Sequence, residues 1–213
     1  MRRTLCIIGA GGHGKVAAET GLESGKYDEI IFLDKRVEVD KTQANQMLEH
    51  WPIVGTPEEC TKFSSQTTDY FVAIGVNDTR RKIFSLLKSY KLSIVSLIHP
   101  RAYVSKRADV GIGSLICANA SLIGFSSIGQ GCIINTNASV DHDCQLGDFV
   151  HVAPGANVAG GVTIGSGCLL GIGSAVLPNL TVGANTTIAA GATLIKSTAS
   201  NSIMTGTPAK SLR

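Results

Sequence analysis

No stretch of the 213 residues is apolar for long enough to cross a membrane; the nearest, Cys168 to Leu177, is broken by Gly171 and Gly173. No run of Lys or Arg accompanies the formal net charge of +3, and Arg2-Arg3 is too short for a basic arm, which argues against nucleic acid as the main partner. None of the six cysteines forms a Cys-x-x-Cys pair, so neither a zinc framework nor a disulfide scaffold is indicated. No leader pattern with a cleavage site precedes the apolar Leu5-Cys6-Ile7-Ile8. These absences lead to the expectation of a cytoplasmic protein with reduced thiols, no membrane insertion and no nucleic-acid partner.

What is present instead is a period of six. The positions Ile98, Val104, Val110, Ile116, Leu122, Ile128, Ile134, Val140, Leu146, Val152, Val158, Ile164, Leu170, Val176, Val182, Ile188 and Leu194 are aliphatic in 17 cases of 17, although Ile, Leu and Val make up only 53 of 213 residues. Four residues after these stops the side chain is usually small, as at Ala120, Ser126, Cys132, Ala138, Cys144, Ala156 and Cys168. A period of six suits neither a 3.6-residue helix nor a two-residue alternation; it is the signature of a parallel β-helix. Gly and β-branched residues, both weak helix formers, saturate the segment. Three hexads close an 18-residue coil, with the stop and the small residue filling a narrow interior. Hexapeptide coils of this kind are left-handed, although the period itself does not set the hand.

Residues 1–97 read differently. Strand-like Leu5–Ile8, Glu29–Asp34, Pro52–Val54, Asp69–Gly75 and Ser93–Ile98 alternate with helical Lys15–Glu23, a helix starting at Pro57 and another over Asp78–Tyr90, which predicts a small Rossmann-like parallel sheet. The expected organisation is therefore an α/β unit over 1–97, a left-handed β-helix over 98–200 and a C-terminal cap over 201–213. Gly9-Ala10-Gly11-Gly12-His13-Gly14 follows a strand, precedes a helix and has Asp34 twenty residues beyond it. Glycines let the backbone approach a phosphate, and the helix N–H groups hold its charge. Fewer than 100 residues supply about one mononucleotide half, which favours a nucleotide over NAD. An isolated loop histidine is usually a surface residue, but His13 lies in a loop that addresses an anion and is expected to touch the same ligand.

Within the coil, polar residues concentrate between Asn135 and His151, where Asp141, His142, Asp143 and Asp148 also fall. Metal binding is disfavoured because His142 and His151 occupy different places in their hexads and should project apart. General base catalysis by His142 fits better: its pKa suits proton transfer near neutrality, and an adjacent carboxylate can fix its tautomer. The alternative for a histidine on such a surface is simple exposure to solvent. An 18-residue coil stacks His142-Asp143 beside Gly160-Gly161, so a bare backbone N–H there could stabilise a tetrahedral oxyanion. His151, at the end of its hexad, is either cofactor-facing or inert.

The glycine-loop start, Asn135-Thr136, Asp141-His142-Asp143-Cys144, His151-Val152-Ala153-Pro154-Gly155-Ala156, Leu170 to Asn179 and Gly206-Thr207-Pro208-Ala209-Lys210 together resemble the sugar O-/N-acyltransferases of the hexapeptide-repeat superfamily. The likeness is to the sialic acid O-acetyltransferase and UDP-4-amino-sugar N-acetyltransferase (bacillosamine pathway) type, and it covers essentially the whole chain. It implies a homotrimer with acetyl-CoA in clefts between adjacent coils and no metal. It implies that His142 is the general base supported by Asp143, where relatives often carry Glu; Asp141 is a possible substitute. It further implies that Gly11, Gly12, His13, Gly14, Asp34 and Asn135 bind the nucleotide-linked amino sugar. His151, Gly160, Ile172, Pro208 and Lys210 would border acetyl-CoA. The implied reaction is acetyl transfer to a sugar amine in bacterial surface glycan biosynthesis. The alternatives are O-acetylation of sialic acid or a polysaccharide, and a ligand-binding coil without chemistry.

Overall fold

A computed structural model of the chain describes residues 2–36 and 46–212. These form two compact units, Met1–His99 and Pro100–Arg213. In the first, β1 (Thr4–Ile8), β2 (Glu29–Leu33), β4 (Trp51–Gly55) and β5 (Thr68–Val72) are parallel, and the short β3 (Met47–Leu48) runs antiparallel to β4. The order is β3-β4-β2-β1-β5. Strand β1, paired on both sides, is buried from Leu5 to Ile8, as its unbroken apolar run requires for a strand covered on both faces.

Among the described residues two α-helices complete the unit, α1 (Gly12–Glu23) and α2 (Asn77–Ser89). The helix expected at Pro57 is a 3-10 helix, Pro57–Phe63, started by the proline and by a capping box between Thr56 and Glu59. The strand expected over Ser93–Ile98 shrinks to a bridge between Ile94 and Tyr70 and the pair Leu97–Ile98, β6. The helix expected from Lys15 begins three residues earlier, at Gly12.

The second unit is a left-handed parallel β-helix. Its first face stacks Tyr103–Val104, Ser121–Leu122, Ser139–Val140, Asn157–Val158, Ala175–Val176 and Thr193–Leu194. Its second runs from Asp109–Val110 to Thr181–Val182, and its third from Leu115–Ile116 through Ile133–Ile134, His151–Val152, Leu169–Leu170 and Thr187–Ile188. Every register step is 18 residues, as in Leu122↔Val140↔Val158.

The stops from Ile116 to Leu194 are all buried, but Val104 and Val110 are half-buried and Ile98 is exposed. The tight core begins with the second coil because the interior of a stack needs a coil on each side. The corners carry a second rule of six. Three residues after each stop, from Gly113 to Gly191, the backbone has positive φ, and the residue is Gly, Asn or Asp except at Phe125 and Phe149. These are the residue types that accept the left-handed conformation cheaply. Beyond the hexads, Ile203–Thr205 adds to the third face beside Thr187, and Lys210–Ser211 turns back antiparallel to it.

Candidate active site

In the first unit, a cavity of about 550 Å³ opens beside the C-terminal ends of β1, β2 and β5. Gly9, Gly11, Gly12, His13, Asp34, Arg36, Ala73 to Gly75 and Lys82 are among its lining residues. This is where parallel α/β sheets receive ligands. Helix α1 starts at its edge with Gly11 as cap, which offers no side-chain oxygen, and its first turn holds no acid. Its leading N–H groups are therefore left to an incoming anion. Gly14 does not line the cavity. A Cβ there would stand 2.3 Å from the Gly9 carbonyl oxygen, so the third glycine lets helix and loop close up.

Asp34 lines the cavity, with its carboxylate turned to the loop. Its Oδ2 accepts the Ala10 N–H at 2.7 Å, and its Oδ1 accepts the Arg36 backbone N–H at 3.0 Å. The Arg36 guanidinium in turn donates to the Ala10 carbonyl at 2.7 Å. The carboxylate thus braces the glycine loop from the cavity wall, and Arg36 is held at the rim. His13, second residue of α1, is half-buried at the cavity. Burial, reinforced by the Arg80 charge, pushes its pKa down to about 4, so it is neutral near pH 7. Arg80 is itself buried and holds the Ile74 and Gly75 carbonyls at 2.9 Å, fixing the loop after β5.

In the coil, His142 and Asp143 form the corner between the first and second faces. Asp143 has φ 59°, and this left-handed turn carries its carboxylate back to the His142 ring, with Oδ2 2.7 Å from Nδ1. A carboxylate only accepts, so Nδ1 holds the proton and Nε2 keeps its lone pair. Asp141 does not meet the ring; its Oδ1 accepts the His142 backbone N–H at 2.8 Å. The hydrogen bond to Asp143 and then the Asp141 charge raise the His142 pKa above the ordinary histidine value.

One coil further on, a Cβ on Gly160 would fall 2.5 Å from His142 Cε1 and 2.6 Å from Nε2. The ring therefore lies where any other residue would put its side chain. The Gly161 N–H is committed to the His142 carbonyl at 2.9 Å. The Gly160 N–H meets no acceptor among the described residues, which makes it the backbone donor beside the base.

Asn135 and His151 belong to the third face, beside the corner that returns to the first. Asn135 Oδ1 is held by the Thr136 N–H at 2.8 Å, and its amide nitrogen lies 3.1 Å from His151 Nε2. An amide nitrogen only donates, so Nε2 accepts and Nδ1 bears the proton. Ile172, exposed, caps the same corner one coil beyond Pro154. The tail closes the row: the Thr207 hydroxyl donates to the Gly191 carbonyl at 3.2 Å, and the Ala209 N–H to Thr193 at 2.8 Å. Pro208 lies between these anchors, and Lys210 begins the exposed final strand.

The expected site residues thus sort into three places. Gly11, Gly12, His13 and Asp34 meet at the cavity, with Gly14 packed behind them; His142, Asp143 and Gly160 share one corner; Asn135, His151, Ile172 and the tail follow another. Gly160 does not join His151 and Ile172. Arg36, Arg80 and Lys82 went unnoticed in the sequence. The only signal for Arg36 was its place two residues after Asp34, and Arg80 looks like any cation on an amphipathic helix. Among the described residues, no three His, Cys, Asp or Glu side chains converge as metal ligands, and no helix is long and apolar enough to cross a membrane. All six cysteines are buried free thiols.

Comparison with known proteins agrees with both halves of the chain. The PglD N-terminal domain family matches residues 4–87, and the bacterial transferase hexapeptide family (six repeats) matches residues 161–196. The acetyltransferase domain of PglB from Neisseria gonorrhoeae FA1090, solved with acetyl coenzyme A, is 38% identical, covers 100% of both chains and superposes with a TM-score of 0.93. A variant of perosamine N-acetyltransferase from Caulobacter crescentus, solved with CoA and GDP-perosamine, is 33% identical over 99% of this chain and 97% of that one, with a TM-score of 0.89. UDP-N-acetylbacillosamine N-acetyltransferase of Bacillus subtilis (strain 168) is 34% identical over 120 residues, 54% of this chain and 52% of that protein. The match to that curated relative therefore spans about half its length.

Proposed function

The chain belongs to the hexapeptide-repeat sugar acyltransferases that carry a PglD-type N-terminal domain, and from that premise we propose that it N-acetylates the amine of a nucleotide-linked amino sugar, of the UDP-4-amino type, with acetyl-CoA as donor. The observation that carries the reading is the His142–Asp143 pair, its ring laid over Gly160. In the proposed reaction the sugar amine attacks the thioester carbonyl, and His142 Nε2 removes the amine proton. The Gly160 N–H donates to the oxyanion. As the tetrahedral intermediate collapses, the C–S bond breaks, the amide remains and the CoA thiolate recovers the proton from His142. A placed general base contributes about 10²–10⁴-fold, and positioning supplies much of the rest.

The nucleotide end is assigned to the glycine-loop cavity, where helix N–H groups, Arg36 and Lys82 suit a diphosphate and neutral His13 offers a hydrogen bond without added charge. Asn135 is assigned to the acceptor sugar. His151, Ile172, Pro208 and Lys210 are assigned to CoA. Their row climbs four coils from Thr136 to Pro208, about 19 Å at ~4.8 Å per strand spacing, which suits an extended pantetheine arm. Gly160 stands on the base's corner and contributes its N–H there. Because base and CoA row occupy different corners, one coil cannot bring them together. A homotrimer that sets one subunit's His142 corner against the next subunit's Asn135 corner does so. Its acetyl-CoA supply and its buried thiols suit the cytoplasm.

The test is a panel of UDP-, GDP- and CMP-linked amino sugars incubated with acetyl-CoA and the purified chain. CoA thiol release and a product one acetyl group heavier, placed on nitrogen by NMR, are expected with one of them. Acetylation of a hydroxyl, or no thiol release across the panel, would overturn the reading.

A further inference from the structure

The corner that carries His142 is built differently from the one that carries Asn135. Six hexapeptide turns close by a direct bond from the N–H of the inward residue to the carbonyl three residues back. On the corner that carries Asn135 this bond recurs in five successive coils at 3.0–3.1 Å, including Ala138 to Asn135 and Ala156 to Ala153. At the His142 turn the direct bond is absent. The Ser126 hydroxyl, from the coil before, sits between the two ends of the turn: it donates to the Asp141 carbonyl at 2.5 Å and accepts the Cys144 N–H at 3.1 Å. A buried side chain is therefore inserted as a spacer into the turn that holds the base.

The next coil repeats the device. The Cys144 thiol donates to the Ala159 carbonyl at 3.2 Å, under the turn that holds Gly160. Along this corner the inward small positions are Ala108, Ser126, Cys144, Val162 and Leu180. Only Ser126 and Cys144 can donate, and the turns they span are the ones bearing the base and the glycine beneath it. A serine in this position is not sufficient: Ser174 lies under a turn that closes directly, Ala192 to Ala189 at 3.1 Å, and its hydroxyl meets no partner among the described residues.

We propose that Ser126 is a positioning residue for acetyl transfer, tying the two ends of the Asp141–Cys144 turn so that the His142 ring lies over Gly160. Without the hydroxyl, the Cys144 N–H and the Asp141 carbonyl both lose their partner and the two ends of the turn are no longer tied together. His142 and Asp143, at the tip, then shift relative to Gly160. The argument rests on the reading of His142 as the base.

The chain supplies its own control. Ser114 makes the same bridge on another corner, to the Gly129 carbonyl and the Cys132 N–H, both at 3.1 Å, with no chemistry assigned nearby. Ser126→Ala, Ser126→Cys, Ser114→Ala and His142→Ala are compared in the full chain for kcat, both KM values and thermal midpoint. Ser126→Ala should lose at least tenfold in kcat with KM values within twofold, and Ser126→Cys should fall between it and the wild type, because thiols make this bridge elsewhere in the coil. Ser114→Ala should lower the midpoint comparably and leave kcat unchanged. Wild-type kcat in Ser126→Ala, or an equal kcat loss in Ser114→Ala, overturns the inference. If Ser126→Ala does not fold, Ser126→Cys decides: a kcat loss of twofold or more at unchanged KM supports the spacer, and parity with wild type overturns it. Near-wild-type turnover in His142→Ala would instead sink the general-base reading.

Discussion

His13 and His142 stand in the two halves of the molecule and are driven in opposite directions. His13 is half-buried at the first turn of α1, beside the Arg80 charge, and its pKa falls to about 4. His142 is exposed on a coil corner against Asp143, and its pKa rises. A histidine that stays neutral can lend hydrogen bonds to a diphosphate site without titrating. One that is drawn toward protonation by a carboxylate is equipped to take a proton and to carry the charge briefly. The two halves use one residue type for two tasks, and the surrounding charge sets which.

The sharpest way to break this comparison is to remove the base. His142→Ala should lower kcat by at least about a hundredfold while the thermal midpoint holds, because the side chain packs against no core. Gly160→Ala should approach that loss with every polar group retained, since its Cβ must displace the ring; about tenfold to a hundredfold is expected in kcat. A fully active Gly160→Ala enzyme would show that the ring works from another position.

Asp143→Asn sharpens the same half. The base is competent when deprotonated, so kcat/KM rises with pH through a midpoint above the ordinary histidine value of 6.5. With the carboxylate gone, that midpoint should move down and the plateau fall by something of order tenfold. An unmoved acid limb would assign it to another group.

In the other half the smallest effect is expected, on stability. The folded pKa of His13, about 4, lies below its unfolded value of 6.5, so the unfolded chain binds the proton more readily between those values. Stability contributed by keeping His13 neutral is present above pH 6.5 and is lost as pH falls toward 4. Thermal midpoints measured across that window should fall more steeply for the wild type than for His13→Asn. Equal slopes would mean that His13 is solvated and titrates normally.

Much of this arrangement is visible in the residue order. The ladder of stops named the coil and its 18-residue step, and that step alone paired His142 with Gly160. Gly, Asn or Asp three residues after most stops was a second signal, and it marks the turns that carry His142-Asp143 and Gly160-Gly161. The glycine loop located the cavity. Other features were not visible there. The spacing of Asp34 did not show that its oxygens are engaged by Ala10 and Arg36, which follows from the backbone of the loop coming within reach of the strand end. Asn135 and His151 are sixteen residues apart and were given separate roles; a hydrogen bond joins them, because their strands are adjacent in the third face.

A strict repeat specifies architecture from the residue list because each hexad has only one way to hide an aliphatic and a small side chain in so narrow a coil. Period, pairing partner and corner position all follow from counting. Which polar groups meet is a different matter. Asp143 rather than Asp141 reaches the imidazole because a left-handed turn swings it back, and Ser126 enters the turn above it because the coils lie one strand spacing apart. Contacts of that kind depend on ångström-scale geometry at the corners, and they came into view only with the folded chain.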